Sequence, residues 1–328
     1  MSFLSSTRSN SFLSGRFGSS KENVSSSAPI KEDVCVYEGK TMKIIVPERC
    51  LGAGSMQIKP KNDAIDNISK WESENRAEAK ELIQKVVGVW EKNGISDYLI
   101  YGKNTDSSKS SFNFEVIPYP KSGWGFWKQF RVLWNITFGG FFVPKIERER
   151  IVKDFQKDME SFSPSQIKQI ASTKDVAKKK DAFCQQKIID SQLVFEGKEV
   201  NVLYNYAPIA LGNKKLHFLI VPKQHREKFS DLTGSEYEEA SRLSQKLVNF
   251  YTTKGQHTTY LFNKTGRRAG QTVPHWHEHI VFTSSKTQDF FGKLKVLKNM
   301  LIGSSSLSKK DLAKRVDALK VELNPVLV

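Results

Sequence analysis

The sequence contains no run of about 18 apolar residues, the length a helix needs to cross a bilayer, so a transmembrane helix is not expected. Cysteine is scarce. Cys35, Cys50 and Cys184 are odd in number and widely spaced, which excludes a disulfide framework and suits a reducing, cytoplasmic setting. Residues 1–20 lack Asp and Glu, are rich in Ser and carry Arg8 and Arg16. No compact apolar core follows a basic start, so this is not an ordinary secretory signal. A transit peptide, a bacterial secretion signal and a disordered tail remain. Ser and Gly offer too little apolar area to offset the entropy of ordering, and we read residues 1–32 as a disordered tail.

Acidic charge is also in short supply. Against 51 Lys and Arg stand 35 Asp and Glu, a net charge of +16. That excess attracts anions such as nucleotides and admits nucleic acid or an acidic membrane surface as partners, without choosing among them. The 328 residues exceed one ordinary domain of roughly 100–200, so two domains, or one with long appendages, are expected.

Residues 33–120 read as one α+β unit. Met42–Pro47 is a short apolar strand, and Ser55–Ile58 starts another. From Trp71 to Trp90 the apolar residues Ile83, Val86, Val87 and Trp90 fall at helical spacing, and Asn93-Gly94 ends the helix. Tyr98–Tyr101 and Phe112–Ile117 read as strands. Residues 121–180 read as an aromatic and basic helical linker. Phe126, Trp127, Phe130 and Trp134 share one helix face, which suits either a membrane interface or the protein's own sheet; the sheet is the expectation. Ile146–Phe162 is a charged helix.

Residues 181–283 read as a second α+β unit. Ile188–Phe195 and Val200–Tyr204 suggest a β-hairpin, and His217–Val221 a strand stopped by Pro222. Thr233-Gly234-Ser235-Glu236 is a capping box opening a helix with Tyr237, Ala240, Leu243, Leu247 and Phe250 on one face. Thr259–Phe262 and His275–Phe282 are further strands. Residues 284–328 read as two helices separated by Gly303–Ser306, with Ser308 and Asp311 capping the second.

All six histidines lie between His217 and His279, and the densest stretch is Gly270-Gln271-Thr272-Val273-Pro274-His275-Trp276-His277-Glu278-His279. On a strand His275, His277 and His279 point one way, and Trp276, Glu278 and Ile280 the other. Three imidazoles on one face suit a metal or a phosphate, and imidazole is a competent nucleophile near neutral pH.

This His-x-His-x-His run, preceded by Gly270-Gln271-Thr272 and by the apolar strand Leu216–Pro222 with His217, resembles the histidine-triad (HIT) superfamily over residues 181–283. The resemblance implies that His277 attacks the α-phosphorus of a nucleotide to form a nucleotidyl-histidine. It implies that His275 and His279 bond the phosphate and fix the ring tautomer, and that His217 stands behind the nucleophile. Gln271, Thr272 and Asn263 match phosphate contacts, Asn205 falls where many relatives place a ribose-binding Asp, and Phe183 and Leu203 would line the base. Glu278 departs from the usual apolar residue. Some relatives bind zinc through Cys-x-x-Cys and two histidines. Cys184 is followed by Lys187 where the second Cys would stand, so with Cys184, His225 and His275 alone no metal and no cofactor is expected.

The first unit echoes the second. Ile58-Lys59-Pro60-Lys61 resembles Ile220-Val221-Pro222-Lys223, and Tyr98-Leu99-Ile100 stands beside Tyr260-Leu261-Phe262. The triad then maps to Ser111, Asn113 and Glu115, none a nucleophilic imidazole. The expected fold is α+β: two HIT-like antiparallel-sheet domains in tandem, packed as an intramolecular pseudo-dimer with one working site in a monomeric chain, plus a helical linker and a helical C-terminal tail. The third His favours the family's hydrolases, acting on nucleotide conjugates or dinucleoside polyphosphates. The alternatives are a dinucleoside-polyphosphate phosphorylase or nucleotidyltransferase, or a non-catalytic nucleotide- or RNA-binding protein.

Overall fold

The computed structural model describes residues 33–105, 111–121, 125–160, 181–209, 215–283, 294, 298–299 and 304–328. The expected disordered tail at 1–32, residues 122–124 and 161–180 of the linker and most of the first C-terminal helix lie outside these residues. The first half of the chain supplies β1 (Val34–Glu38), β2 (Met42–Val46), β3 (Arg49–Cys50), β4 (Met56–Pro60), α1 (Ser73–Lys92), β5 (Tyr98–Thr105) and β6 (Phe114–Pro118). Next come α2 (Gly125–Phe138), β7 (Phe141–Phe142) and α3 (Lys145–Glu160). The second half supplies α4 (Gln186–Gln192), β8 (Leu193–Glu196), β9 (Val200–Tyr204), β10 (His217–Pro222), α5 (Gly234–Thr253), β11 (Thr258–Thr265), β12 (Glu278–Thr283) and α6 (Lys309–Leu327).

Ten strands form one antiparallel sheet in the order β1-β2-β4-β6-β5-β11-β12-β10-β9-β8. The order reads alike from both ends if β1, β2, β4, β6 and β5 are matched with β8, β9, β10, β12 and β11. The two innermost strands pair from Tyr98 with Thr265 to Thr105 with Thr258. Across this seam Tyr101 faces Phe262; Tyr101 in turn faces Glu115 on β6, and Phe262 faces His279 on β12. A pseudo-two-fold axis therefore passes between Tyr101 and Phe262. The repeat is present, with one correction: Leu99, not Tyr98, corresponds to Tyr260. A one-residue step matters because it exchanges the faces of a strand, and Leu99, Tyr101, Tyr260 and Phe262 all belong to the same apolar cluster.

One face of the sheet is covered by α1 and α5. In α1, Ala79, Leu82, Ile83, Val86, Val87 and Trp90 form the buried stripe, and Gly94 ends the helix at φ +79. The two helices are tied by Arg76, whose Nε lies 3.1 and 3.2 Å from the Glu238 carboxylate, and by Gln245, which donates to the carbonyls of Ile68, Ser69 and Trp71. Thr233 and Glu236 close the expected capping box on α5, and Ser308 caps α6.

Two sequence expectations need correction. Ile188–Gln192 is not strand but the end of α4, where Ile189 packs with Leu203, Leu219 and Val221. The expected aromatic face of α2 meets the sheet only through Phe130, which is part-buried there; the side chain of Phe126 lies outside the described residues. Val132, Leu133 and Ile136 seat the helix there, joined to Leu99, Tyr101, Ile117, Phe262 and Val281, while Trp127 is 60% and Trp134 43% exposed. The aliphatic side chains bring the helix close to the sheet, with Phe130 and Phe138 at their margin and the two tryptophans outside.

Glu278 lies on the helix-covered face. Burial pushes its carboxyl up to about 7. Ser244 Oγ is 2.9 Å from the Ala240 carbonyl and 2.5 Å from Glu278 Oε2. One hydroxyl proton cannot serve both, so a protonated Glu278 donates to Ser244, which donates to Ala240. A carboxyl ordinarily titrating near 4.5 and held near 7 makes the fold lose stability as pH rises between those values, by about 3 kcal/mol. Glu278→Gln is therefore expected to raise the unfolding free energy at pH 8 by up to about 3 kcal/mol while changing little at pH 4.5, as urea titrations at both pH values would read.

Candidate active site

The strand β12 begins only at Glu278, so of the three clustered histidines His279 alone sits in the ladder. Pro274 and the turn before it carry His275 and His277 along an irregular approach, a correction to the expected strand from His275. The rings form a row. His225 and His275 are 5.3 Å apart, Phe183 stands edge-on to both His275 (5.8 Å) and His277 (5.2 Å), His277 meets His279 at 4.8 Å, and His279 meets His217 at 5.2 Å. Phe262, at the pseudo-axis, stacks on His279 at 4.5 Å and 12°.

Hydrogen bonds fix where the protons sit. His277 Nδ1 is 2.7 Å from the His275 carbonyl, which can only accept. Nδ1 therefore carries the proton and Nε2 keeps a free lone pair. The Ile209 N–H donates to His217 Nδ1 at 3.1 Å, so the His217 proton is on Nε2 and is donated to His279 Nδ1 at 2.9 Å. The proton of His279 then resides on its own Nε2. Burial pushes His277 down to about 4 and His217 to about 3, and holds His279 well below the ordinary imidazole range. All three are neutral at physiological pH.

The other sequence-derived residues are distributed unevenly around this row. Asn263, on β11, donates to the His277 carbonyl at 3.0 Å and braces the approach loop. Asn205 lies 3.3 Å from the His217 ring nitrogens and accepts from Ala207 N. Gln271 is committed to the loop, donating to the Glu227 carbonyl and accepting from Gly266 N, whereas Thr272 is exposed. Phe183 lines a cavity of about 230 Å³ with Asn201, Asp190 and Lys223; Leu203 is buried behind it and does not line it. Lys264 was not singled out from the sequence. Burial depresses its ammonium, and its positive charge acts on His217, His277 and His279. Its Nζ lies 3.5 Å from where a Cβ on Gly270 would stand, and Gly270 has φ +86. A side chain there would be strained by the left-handed backbone while only touching Lys264 at ordinary contact distance.

A second cluster adjoins the row. Asp181 Oδ2 is 2.7 Å from His275 Nδ1 and 2.8 Å from His225 Nδ1, and Cys184 Sγ is 3.0 Å from the same oxygen. Burial opposes the charge on Asp181, but the bonds from His275 and Cys184 outweigh it and hold the carboxyl well below the usual range. One donor atom from each of the four residues lies within 4.8 Å of the others. One thiolate, two imidazoles and one carboxylate are a donor set that zinc accepts at about 2.0–2.3 Å. The sequence reading considered Cys184, His225 and His275 alone; Asp181, three residues before Cys184, brings a fourth donor atom beside them.

The first half repeats the site's hydrogen bonds with other chemistry. Ser55 and Glu115 stand where His217 and His279 stand, with Ser55 Oγ 2.5 Å from Glu115 Oε1; a loop N–H again meets the pair, but Leu51 N donates to Glu115, the twin of His279, whereas Ile209 N donates to His217. Asn113 Nδ2 donates to the Ser111 carbonyl at 3.3 Å, as His277 Nδ1 does to His275. The scaffold is kept and the nucleophilic nitrogen is gone.

Residues 186–286 match the family described as HIT domain. An uncharacterized HIT-like protein of Methanocaldococcus jannaschii is 31% identical over 93 residues, covering 28% of this chain and 69% of that protein. Among solved structures, an ADP-glucose phosphorylase from Arabidopsis thaliana is 12% identical over 84% of this chain and 81% of its own, at a TM-score of 0.47. A GalT-like protein from the same plant is 12% identical over 84% and 82%, at 0.46. With the triad in place and the archaeal relative matched over most of its length, the chain belongs to the HIT superfamily.

Proposed function

We propose that the protein is a nucleotide phosphohydrolase that works through a nucleotidyl-histidine on His277. The observation that supports this reading is the free lone pair on His277 Nε2, held by the bond from Nδ1 to the His275 carbonyl. Nε2 attacks the α-phosphorus, the bond from phosphorus to the leaving group breaks, and the leaving group departs with the electron pair and takes up a proton. The ring now carries positive charge, which the His275 carbonyl stabilises through Nδ1–H. Water then adds to phosphorus, the N–P bond breaks, and His277 is regenerated. His279 Nε2–H bonds a non-bridging oxygen, Lys264 offsets phosphate charge, Thr272 contacts phosphate at the mouth, and the cavity beside Phe183 receives the base.

Where zinc is bound, Asp181, Cys184, His225 and His275 would hold it, and it would supply structural rigidity to the loop that carries His277. The seam between β5 and β11 covers both strand edges internally, and we place the chain as a monomer, which light scattering of the full chain would read. A reducing compartment such as the cytoplasm suits the three free thiols; no described helix is long and apolar enough to cross a membrane.

Mixing the protein with a panel of adenylylated amines and dinucleoside polyphosphates and quenching in base should trap a phosphoramidate-linked nucleotide on His277 by mass spectrometry. No adduct on His277 with any substrate the enzyme consumes would refute the mechanism. Because His277 is neutral above about pH 5, kcat/KM should not fall on the acid side until the pH approaches about 4. An acid limb near 6.5 would place the essential base elsewhere.

A further inference from the structure

The segment from residue 116 to residue 146 contains no Asp or Glu, four basic residues (Lys121, Lys128, Arg131 and Lys145) and nine aromatic residues. Seven large hydrophobic side chains are exposed among the described residues, and four of them fall here: Trp127 at 60%, Trp134 at 43%, Phe142 at 57% and Ile146 at 82%. On α2 the exposed Trp127 and Trp134 are joined into a column by Phe130 and Phe138, which are part-buried against the sheet cluster. Trp127 meets Phe130 at 6.1 Å, Phe130 meets Trp134 at 5.9 Å, and Trp134 meets Phe138 at 4.4 Å. The opposite side of the same helix is already seated on the sheet through Val132, Leu133 and Ile136. A helix apolar on both sides ordinarily belongs in an interior, and so large a set of exposed rings marks an interaction surface.

We propose that α2, with the start of α3, docks on the surface of a membrane rich in anionic lipid. Tryptophan and phenylalanine beside basic side chains, with no acidic residue on α2 itself, are the composition of an interfacial helix; the first turn of α3 adds Glu147 next to Lys145 and Ile146. Arg131 is exposed and lies over the Phe141 ring at 5.1 Å, placing positive charge at the border of the aromatic column. Single-stranded nucleic acid fits less well. Bases stack on open ring faces, whereas Trp134 has Phe130 tilted against it at 34° and Phe138 at 40°, so neighbouring rings already occupy it. Docking would also bring the catalytic loop near the headgroups, since Gln129 donates to the Arg268 carbonyl at 2.6 Å, three residues before Gln271.

The test is co-sedimentation of the full chain with vesicles of phosphatidylcholine alone and of phosphatidylcholine with phosphatidylglycerol. Binding is expected to the anionic vesicles, weakening as salt rises. Trp127→Ala/Trp134→Ala should reduce it about tenfold or more, and Arg131→Glu about fivefold or more. Both variants should unfold at the wild-type temperature, because the replaced side chains lie outside the core. Three results would overturn the proposal: no binding of the wild type to anionic vesicles, equal binding of the double variant, or equal binding to neutral and anionic vesicles. Light scattering that showed a dimer dissolved by the double variant, or displacement from vesicles by a single-stranded RNA that binds this face more tightly, would assign the surface to another partner and count against it as well.

Discussion

His277→Asn is expected to lower turnover by about three orders of magnitude or more while leaving the protein folded and able to bind nucleotide. The chain itself contains the precedent. Asn113 occupies the twin position and keeps the bond to the carbonyl two residues earlier, so an amide fits this turn. What it cannot do is offer the nitrogen lone pair that attacks phosphorus; in that orientation the outward atom is a weakly nucleophilic carbonyl oxygen. A drop in kcat with little change in nucleotide affinity, by calorimetry with AMP, would match this account. Retention of near wild-type hydrolysis by His277→Asn would remove His277 from the chemistry altogether.

Asp181→Ala should have the largest effect on stability, about 3–5 kcal/mol, because it leaves the buried ring of His275 and the half-buried ring of His225 without their shared acceptor. Two readouts separate the consequences. Urea unfolding measures the loss of the carboxylate strut, and elemental analysis after dialysis against zinc measures the donor set. Asp181→Ala should lose bound zinc; Asp181→Cys should retain it, since a second thiolate restores four donors. Equal zinc content in wild type and Asp181→Ala would exclude Asp181 as a ligand, and unchanged stability would exclude it as a strut.

Much of this was legible in the sequence because it rests on local pattern. The α1 and α5 helices follow from apolar spacing and, for α5, from Thr233 and Glu236, which act over three residues. The repeat was visible because both copies of the β4 and β10 strands end in a proline and a lysine. The seam register was not, since only the sheet reveals that Leu99 and not Tyr98 matches Tyr260. The face of α2 was misread because ring size suggested burial, whereas packing depended on the closer fit of Val132, Leu133 and Ile136. The triad itself was plain, but its geometry was not: Pro274 delays the strand until Glu278, which lets His275 turn towards Asp181. A search of both flanks of Cys184 at three-residue spacing would have found Asp181. Lys264 carried no local signal, because its role comes from the approach of β11 to the loop around Gly270.

The seam also bears on how the molecule is made. Tyr101 and Phe262 are 161 positions apart in the chain (262 − 101 = 161), whereas β5 with β6, and β11 with β12, close over far shorter loops. Contacts of long sequence separation require their loop entropy to be met before they stabilise anything, and they slow folding. The two halves should therefore collapse first and join last. Until they do, β11 presents a bare edge of eight residues on the strand that braces His277 through Asn263. During synthesis, that edge is the part of the nascent chain most open to pairing with a neighbour, and its own partner strand, made earlier, is already waiting to cover it.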